Sequence, residues 1–406
     1  MNQPKSLLAN LPLFVVIFID GMGLSLLFPI LNSIIVDPVS HFLSASTSTA
    51  TRDFLYGLVV SVFMLCWFFG AAILGDLSDK VGRKISLIIC LVGAFLGYLL
   101  SAVAIVSSSL TLLIIGRVIA GFTAGSQPIA QAAIVDISAP EHKARNIGLI
   151  LLSVSLGFVF GPIIGGVLSE PKIVSWFNFQ TPMYFAAAIS LLNAAFLWLT
   201  FHETHETKGK LNIRFHYAIN IFISAFKHKG IRYLSLVFLV MIFGWSNYFT
   251  FISMYMITHY KATPLQVSLF LAVMGCGFAV GCGVLVDYLT KRYSLKNLVV
   301  QGSIIAAIGI LLSLCFEINW LPWVMTFFIA IAIAIAYSVI LTIFSNQVDD
   351  NEQGWVMGVT GSIMALCFGI TSLLTGAIAS YGAGLPIGLG AVGLGLSGVL
   401  MFFSKR

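Results

Sequence analysis

Charge is what this sequence has least of. Asp, Glu, Lys and Arg make up 9% of its 406 residues, whereas ordinary soluble domains carry about 25%. A chain of this length cannot cover a water-facing surface with so few charges, so its solvent is largely lipid. Cysteine is scarce as well. Cys66, Cys90, Cys276, Cys282, Cys315 and Cys367 form no CxxC pair, which excludes a disulfide framework or a zinc site and leaves them as small packing residues. Alternation of polar and apolar residues is lacking, which argues against a membrane β-barrel. No P-loop spacing occurs, so ATP is not the energy source. No intramembrane nucleophile and base can be assembled into an enzyme's active centre, and no metal-ligand cluster or other cofactor site is apparent.

What is present is apolar length. Mean hydropathy is +1.02, and about 20 apolar residues cross a bilayer as a helix. Twelve spans are predicted near 11–36, 54–75, 85–106, 108–135, 146–169, 181–201, 232–257, 265–288, 296–316, 321–344, 355–380 and 383–403. The first run is too long for a signal peptide and lacks a small-residue cleavage site, so it reads as a retained helix. An all-α integral membrane protein follows. With both termini inside, 17 of the 21 Lys and Arg residues fall on the cytoplasmic side, three fall outside, and Arg117 lies within a span. The positive-inside rule then sets termini-in, and the net charge of +6 reports topology rather than nucleic-acid binding.

The chain divides into an N-terminal half (1–203), a linker (204–231) and a C-terminal half (232–406). Apolar residues at helical spacing from Ile213 to Phe226, flanked by bases, make the linker either an interfacial helix or a loose connector. The halves echo each other. GDLSDKVGRK carries Gly75, Asp79 and Arg83 four apart, and GVLVDYLTKR repeats this as Gly283, Asp287 and Lys291, 208 residues later. Gly148 and Gly358 match at an offset of 210. Duplicated six-span halves are a transporter architecture, with two pseudo-symmetric bundles around a midplane cavity.

GDLSDKVGRK resembles the loop 2–3 signature of the major facilitator superfamily, G-x-L-[SA]-D-[RK]-x-G-R-[KR]. IGRVIAGFTAG (115–125) is similar to that family's helix 4 motif around an intramembrane arginine, and LGFVFGPIIGG (156–166) to the helix 5 motif of drug:proton antiporters. The resemblance is strongest to the twelve-span branch of tetracycline and multidrug exporters. It implies that Asp79 docks at the start of helix 11, near Gly354 and Trp355, and that Arg83 pairs with Asp136, so that a latch of Gly75, Asp79, Gly82, Arg83, Asp136 and Asp287 joins the halves. The alternative is a solvated loop that only enforces topology. Gly97 precedes Tyr98 where tetracycline exporters carry an acid, and no C-terminal span holds one.

Two charges stand inside the spans. Asp20 sits in LFVVIFIDGMGLSLLFPIL, and Arg117 lies at similar depth in helix 4. Such residues cost at least ~2.5–3.5 kcal/mol at the bilayer centre and normally face a cavity or a partner. A carboxyl in low dielectric is able to bind and release a proton, so Asp20 with Arg117 is either a proton-coupling pair or a permanent structural ion pair. The resemblance assigns the coupling roles. In helix 5, Gly157, Gly161 and Gly165 form a small-residue stripe beside Pro162 and Gly166, a hinge and seal expected to pack on Gly277 and Gly281 of helix 8. The substrate cavity draws on Gln127, Gln131, Met64, Trp67, Trp245, Asn247, Tyr248, Tyr255, Tyr337 and Asn346.

The reading is a monomeric carrier in a bacterial inner membrane that exports a small amphipathic molecule in exchange for protons. A siderophore or metabolite exporter, a proton-coupled uptake symporter, and a non-transporting sensor or scaffold are the alternatives.

Overall fold

The computed structural model describes residues 7–137, 143–204, 216–316, 318–349 and 352–404. The first half holds α1 (Leu7–Leu31), which runs into a π-helical turn (Asn32–Val36), then α2 (Thr49–Val81), α3 (Arg83–Val106), α4 (Leu110–Thr123), α5 (Ser126–Ile137), α6 (Lys143–Leu168) and α7 (Thr181–Thr200). A linker helix, α8 (His216–Lys227), follows. The second half holds α9 (Arg232–Thr258), α10 (Pro264–Val280) continuing through a π-helical stretch into α11 (Val286–Thr290), α12 (Leu295–Cys315), α13 (Leu321–Asn346), α14 (Gln353–Ala379) and α15 (Gly384–Phe403). Among the described residues, 11 segments are long and apolar enough to cross a membrane, with α4 and α5 making one and α10 and α11 another. The twelfth is α6, whose apolar stretch is Leu152–Leu168.

Sequence punctuation sets these boundaries. Ser48, Ser109 and Ser294 each cap a helix by accepting a backbone N–H, and Thr263 with Gln266 forms a reciprocal capping box at α10. Proline opens α7, α10 and α13, where its missing N–H costs nothing.

Three predicted boundaries are corrected. The Ser48 cap starts α2 at Thr49 rather than 54, which draws Arg52 and Asp53 into the helix, where both are buried. At its other end α2 runs on to Val81, so Gly75 lies inside a helix and only Gly82, at φ 109°, makes the turn. The fourth span is broken at Ala124–Gly125. A Cβ on Gly125 would stand 2.9 Å from Ala71 Cα and the Gly70 carbonyl oxygen, so this glycine seats the break against α2.

The bundles meet where α2 faces α14 and α6 faces α10. At the far end, away from the 75–84 turn, they are closed: the Phe28 and Phe249 rings are 5.0 Å apart, and Tyr56 donates to the Thr250 carbonyl at 2.7 Å. At the basic end, which holds the 75–84 turn, they separate. A Cβ added at Gly75, Gly283, Gly358 or Gly361 meets nothing within 4 Å. The cleft therefore opens toward the basic end alone. The linker helix α8 buries Ala218 and Ala225, and Ser224 receives the Trp355 indole N–H at 3.1 Å, so it docks on α14 while Ile219 and Ile223 face outward. Residues 205–215 of the linker lie outside the described residues.

Candidate functional site

The break in the fourth span makes the site. Ser126, the first residue of α5, donates its hydroxyl to the Asp20 carboxylate, with Oδ1 at 2.9 Å and Oδ2 at 2.7 Å. Asp20 is half-buried in α1, between the sealed far end and the open basic end. Its surroundings suit both protonation states: apolar walls for the neutral acid, and a hydroxyl donor for the carboxylate. Sequence reasoning missed Ser126. The signal was GSQP, a small residue, a hydroxyl and an early proline, which is a helix start.

Arg117 takes no part in an ion pair with Asp20; among the described residues none joins them. Its guanidinium carbon lies 4.0 Å from the Phe63 ring centre, a cation–π contact, and its Nε has no hydrogen-bond partner among the described residues. Close glycines bring this about. Gly121 sits against Phe63 of α2, and Gly97 and Gly116 let α3 and α4 touch backbone to backbone. Arg117 is 4% exposed and lines a cavity of about 10 Å³ with Leu27, Phe28, Leu31, Val60 and Met64, room for about one water. Between the two charges stands Tyr98, whose hydroxyl rests on Gly23, where any side chain would collide with it. The permanent ion pair is thus excluded for this conformation.

Of the cavity candidates, Met64 lies beside Arg117, and Trp67 is nearly buried with an indole N–H that has no partner among the described residues. Gln127 and Gln131 are half-buried on α5, and the break separates them from the helix that carries Arg117. Trp245 packs among the rings of Tyr248, Phe249 and Phe278, with centroids at 5.9, 5.6 and 5.4 Å. Tyr248 donates to Thr326 at 3.1 Å, and Asn247 donates to the Phe243 carbonyl at 2.9 Å. Tyr337 points at the Met364 sulfur, 3.7 Å away. Two candidates are displaced. Tyr255 stacks on His259 at the far end, and Asn346 is the exposed last residue of α13. A roomier cavity of about 610 Å³, bordered by Lys229, Arg232 and Lys296, lies at the basic end of the C-terminal half, away from Asp20.

At the turn, Arg83 reaches Asp79 at 2.7 Å and Asp136 at 3.3 Å. Asp79 is 60% exposed, and among the described residues its partner is Arg83 rather than the start of α14. Glu203, unforeseen from the sequence, accepts the backbone N–H groups of Arg83 and Lys84 at 2.8 and 3.0 Å and so caps α3. In the second half the echo is looser: Asp287 forms an exposed pair with Lys291 four residues on.

The glycine stripe packs on a different helix from the one expected. A Cβ on Gly157 would lie 2.6 Å from the Phe18 carbonyl, one on Gly161 2.7 Å from that of Met22, and one on Gly165 2.8 Å from that of Leu26. All three press on α1, while Gly277 and Gly281 pack on α13. The seal to α10 is made instead by Gly166 against Ser268 and by Gly275 against Val159. The reason is angular: residues four apart fill one face of α6, and Gly166 lies a further 100° round. Pro162 is buried within α6. Asp20 therefore rides on a helix locked to α6, which itself borders the other bundle.

Comparison with known proteins gives three kinds of likeness. The sequence model described as Major Facilitator Superfamily matches residues 13–372. The class C tetracycline resistance protein of Escherichia coli is 27% identical over 361 residues, 86% of this chain and 84% of that protein. The quinolone resistance protein NorA of Staphylococcus aureus is 28% identical over 353 residues, 86% of this chain and 87% of NorA. Among solved structures, a D-xylose-proton symporter superposes with a TM-score of 0.80 at 14% identity, over 97% of this chain and 96% of that one.

Proposed function

The chain belongs to the Major Facilitator Superfamily, and from that premise we propose that it exports a small amphipathic organic molecule in exchange for protons. Membership makes it an integral membrane transporter rather than an enzyme. The finer reading rests on one observation. The Asp20 carboxyl is half-buried, receives the Ser126 hydroxyl, has no cationic partner among the described residues, and opens to the basic end. With both termini cytoplasmic, that end faces the cytoplasm, and the far end faces the outside of a bacterial inner membrane.

In this orientation the structure is the inward-open member of an alternating pair. Substrate from the cytoplasm or inner leaflet enters the cleft and displaces the Asp20 proton, which leaves to the cytoplasm. The bundles then rock, with α6 carrying α1 past α10, and the far end opens. Release of substrate lets an external proton rejoin Asp20. Inward movement of that proton releases ~2.3 kcal/mol per 100 mV and ~1.4 kcal/mol per pH unit, enough for uphill export. Arg117, charged beside Phe63 and without an ion-pair partner among the described residues, keeps a positive potential near Asp20 without trapping it in a salt bridge. The Arg83 turn, held within its own half in this state by Asp79, Asp136 and Glu203, closes against the start of α14 in the outward state. The carrier works as a monomer without a cofactor.

The export reading over uptake draws on relatives named for tetracycline and quinolone resistance. The test is transport by the purified protein in vesicles under an imposed pH gradient, with a panel of quinolones, tetracyclines and lipophilic cations. Gradient-driven accumulation in wild type and its loss in Asp20→Asn support the reading. Equal accumulation in both rejects Asp20 as the coupling site.

A further inference from the structure

The far-end seal buries a second carboxyl. Asp53 is 4% exposed at the outer end of α2, and its Oδ1 is enclosed without a hydrogen-bond partner among the described residues. Its backbone carbonyl lies against α14, 3.1 Å from the position a Cβ on Gly376 would take, and Gly57, one turn on, touches Gly376 backbone to backbone. The neighbouring Arg52 does not neutralise it. The Arg52 guanidinium donates to the carbonyls of Thr47, Ile35 and Ser44 at 3.3, 3.0 and 2.9 Å and is thereby committed to the loop.

Among the described residues, no other charge faces Asp53 from the elements around it. The outer part of α14 (364–379), that of α9 (245–258) and the segment 21–36 contain no Asp, Glu, Lys, Arg or His. Tyr56 spends its hydroxyl on the Thr250 carbonyl, Tyr248 on Thr326, and Tyr255 lies on His259. In the loop before α2, Asp37 accepts the Val39 N–H, and His41 is exposed. The seal does hold other enclosed polar atoms without partners among the described residues: Thr250 Oγ1, Ser253 Oγ and Ser372 Oγ. An unpaired carboxylate is poorly tolerated in such a place, whereas a neutral acid is accommodated. When α2 and α14 part, water reaches the same group and the charged form is solvated.

We propose that Asp53 is a second proton-binding carboxyl, one that belongs to the far-end seal: its neutral form permits closure, and its ionisation accompanies opening. The proton bound here comes from the outside and returns to the outside, so it is not counted in transport. Acid outside thus favours the sealed state, in step with reloading of Asp20. The idea goes beyond the exchange reaction proposed above, because the seal would titrate in this way whatever the cargo.

The test uses the full chain in lipid nanodiscs, with its native cysteines replaced and spin labels on Ala45 and Tyr381, at the far ends of the two halves. Distances are read by pulsed electron–electron resonance at pH 5.5 and 8.5. In the wild-type background the ratio of open to closed far ends rises more than tenfold over this range, within the limit of tenfold per pH unit set by a single proton. Asp53→Asn and Asp53→Ala both stay sealed, with the ratio unchanged within twofold. Asp20→Asn keeps the wild-type response at this end. A wild-type response in both Asp53 variants, or no response in the wild-type background, overturns the proposal. So does loss of the response in Asp20→Asn alone, an outcome that leaves the Asp20 assignment standing.

Discussion

The Arg117 guanidinium carbon lies 4.0 Å from the centre of the Phe63 ring, and among the described residues no carboxylate shares it. An intramembrane cation is thus held by a π face and by tight glycine packing instead of by the one acid at its depth. A cation–π contact in a desolvated site is worth about 2 kcal/mol. Phe63→Leu should therefore lower thermal stability measurably in detergent, and combining it with Asp20→Asn should give the sum of the two separate effects. Strong non-additivity in the double-mutant cycle would indicate a hidden link between the acid and the arginine.

Ser126 is the hydroxyl on which the Asp20 carboxylate rests. Ser126→Ala removes a charge-assisted hydrogen bond worth about 1.5–3 kcal/mol. Gradient-driven transport should fall by roughly tenfold or more, and Ser126→Thr, which keeps the hydroxyl, should retain most of the wild-type rate. Initial rates in vesicles decide between these outcomes.

The glycines give a paired prediction. Gly157→Ala places a methyl 2.6 Å from the Phe18 carbonyl oxygen and 2.7 Å from the Met22 nitrogen, both rigid backbone atoms. Overpacking of this kind costs about 1–3 kcal/mol, so the variant should melt earlier. Gly358→Ala meets nothing within 4 Å in this structure. It should leave the melting temperature unchanged and slow turnover only if that surface closes in the outward state. Thermal melts and transport rates of the two variants check both halves of the prediction.

Glu203 caps α3 by accepting two backbone N–H groups beside Arg83. Glu203→Ala should cost about 0.5–2 kcal/mol, as lost caps do. Hydrogen exchange should quicken at residues 83–86, with α4 unaffected. Uniform quickening across the N-terminal half would show that the contact supports more than this helix end.

Much of the architecture was legible because bilayer thickness dictates helix length and lipid excludes charge. Asp20 and Arg117 were legible for the same reason, as exceptions in apolar runs. Elsewhere the limits are physical. A continuous apolar run reads as one span over 108–135 and does not reveal the break that Gly125 creates against α2. A hydropathy window trims polar turns, so the predicted span starts at 54, one residue past Asp53, whereas the Ser48 cap starts α2 at Thr49. A glycine stripe announces a close neighbour but not which one, and Gly157, Gly161 and Gly165 chose α1. The partnership of Glu203 with α3 joins residues 120 apart, and no local pattern encodes it.

Proton release on substrate binding is the most direct test of the central claim. Purified protein in weakly buffered detergent solution, with a pH-indicating dye, is mixed with a substrate found in the vesicle screen, and binding is measured in parallel. The account predicts release of about one proton per bound molecule from wild type and none from Asp20→Asn, with binding retained. Equal proton release from both proteins would contradict it.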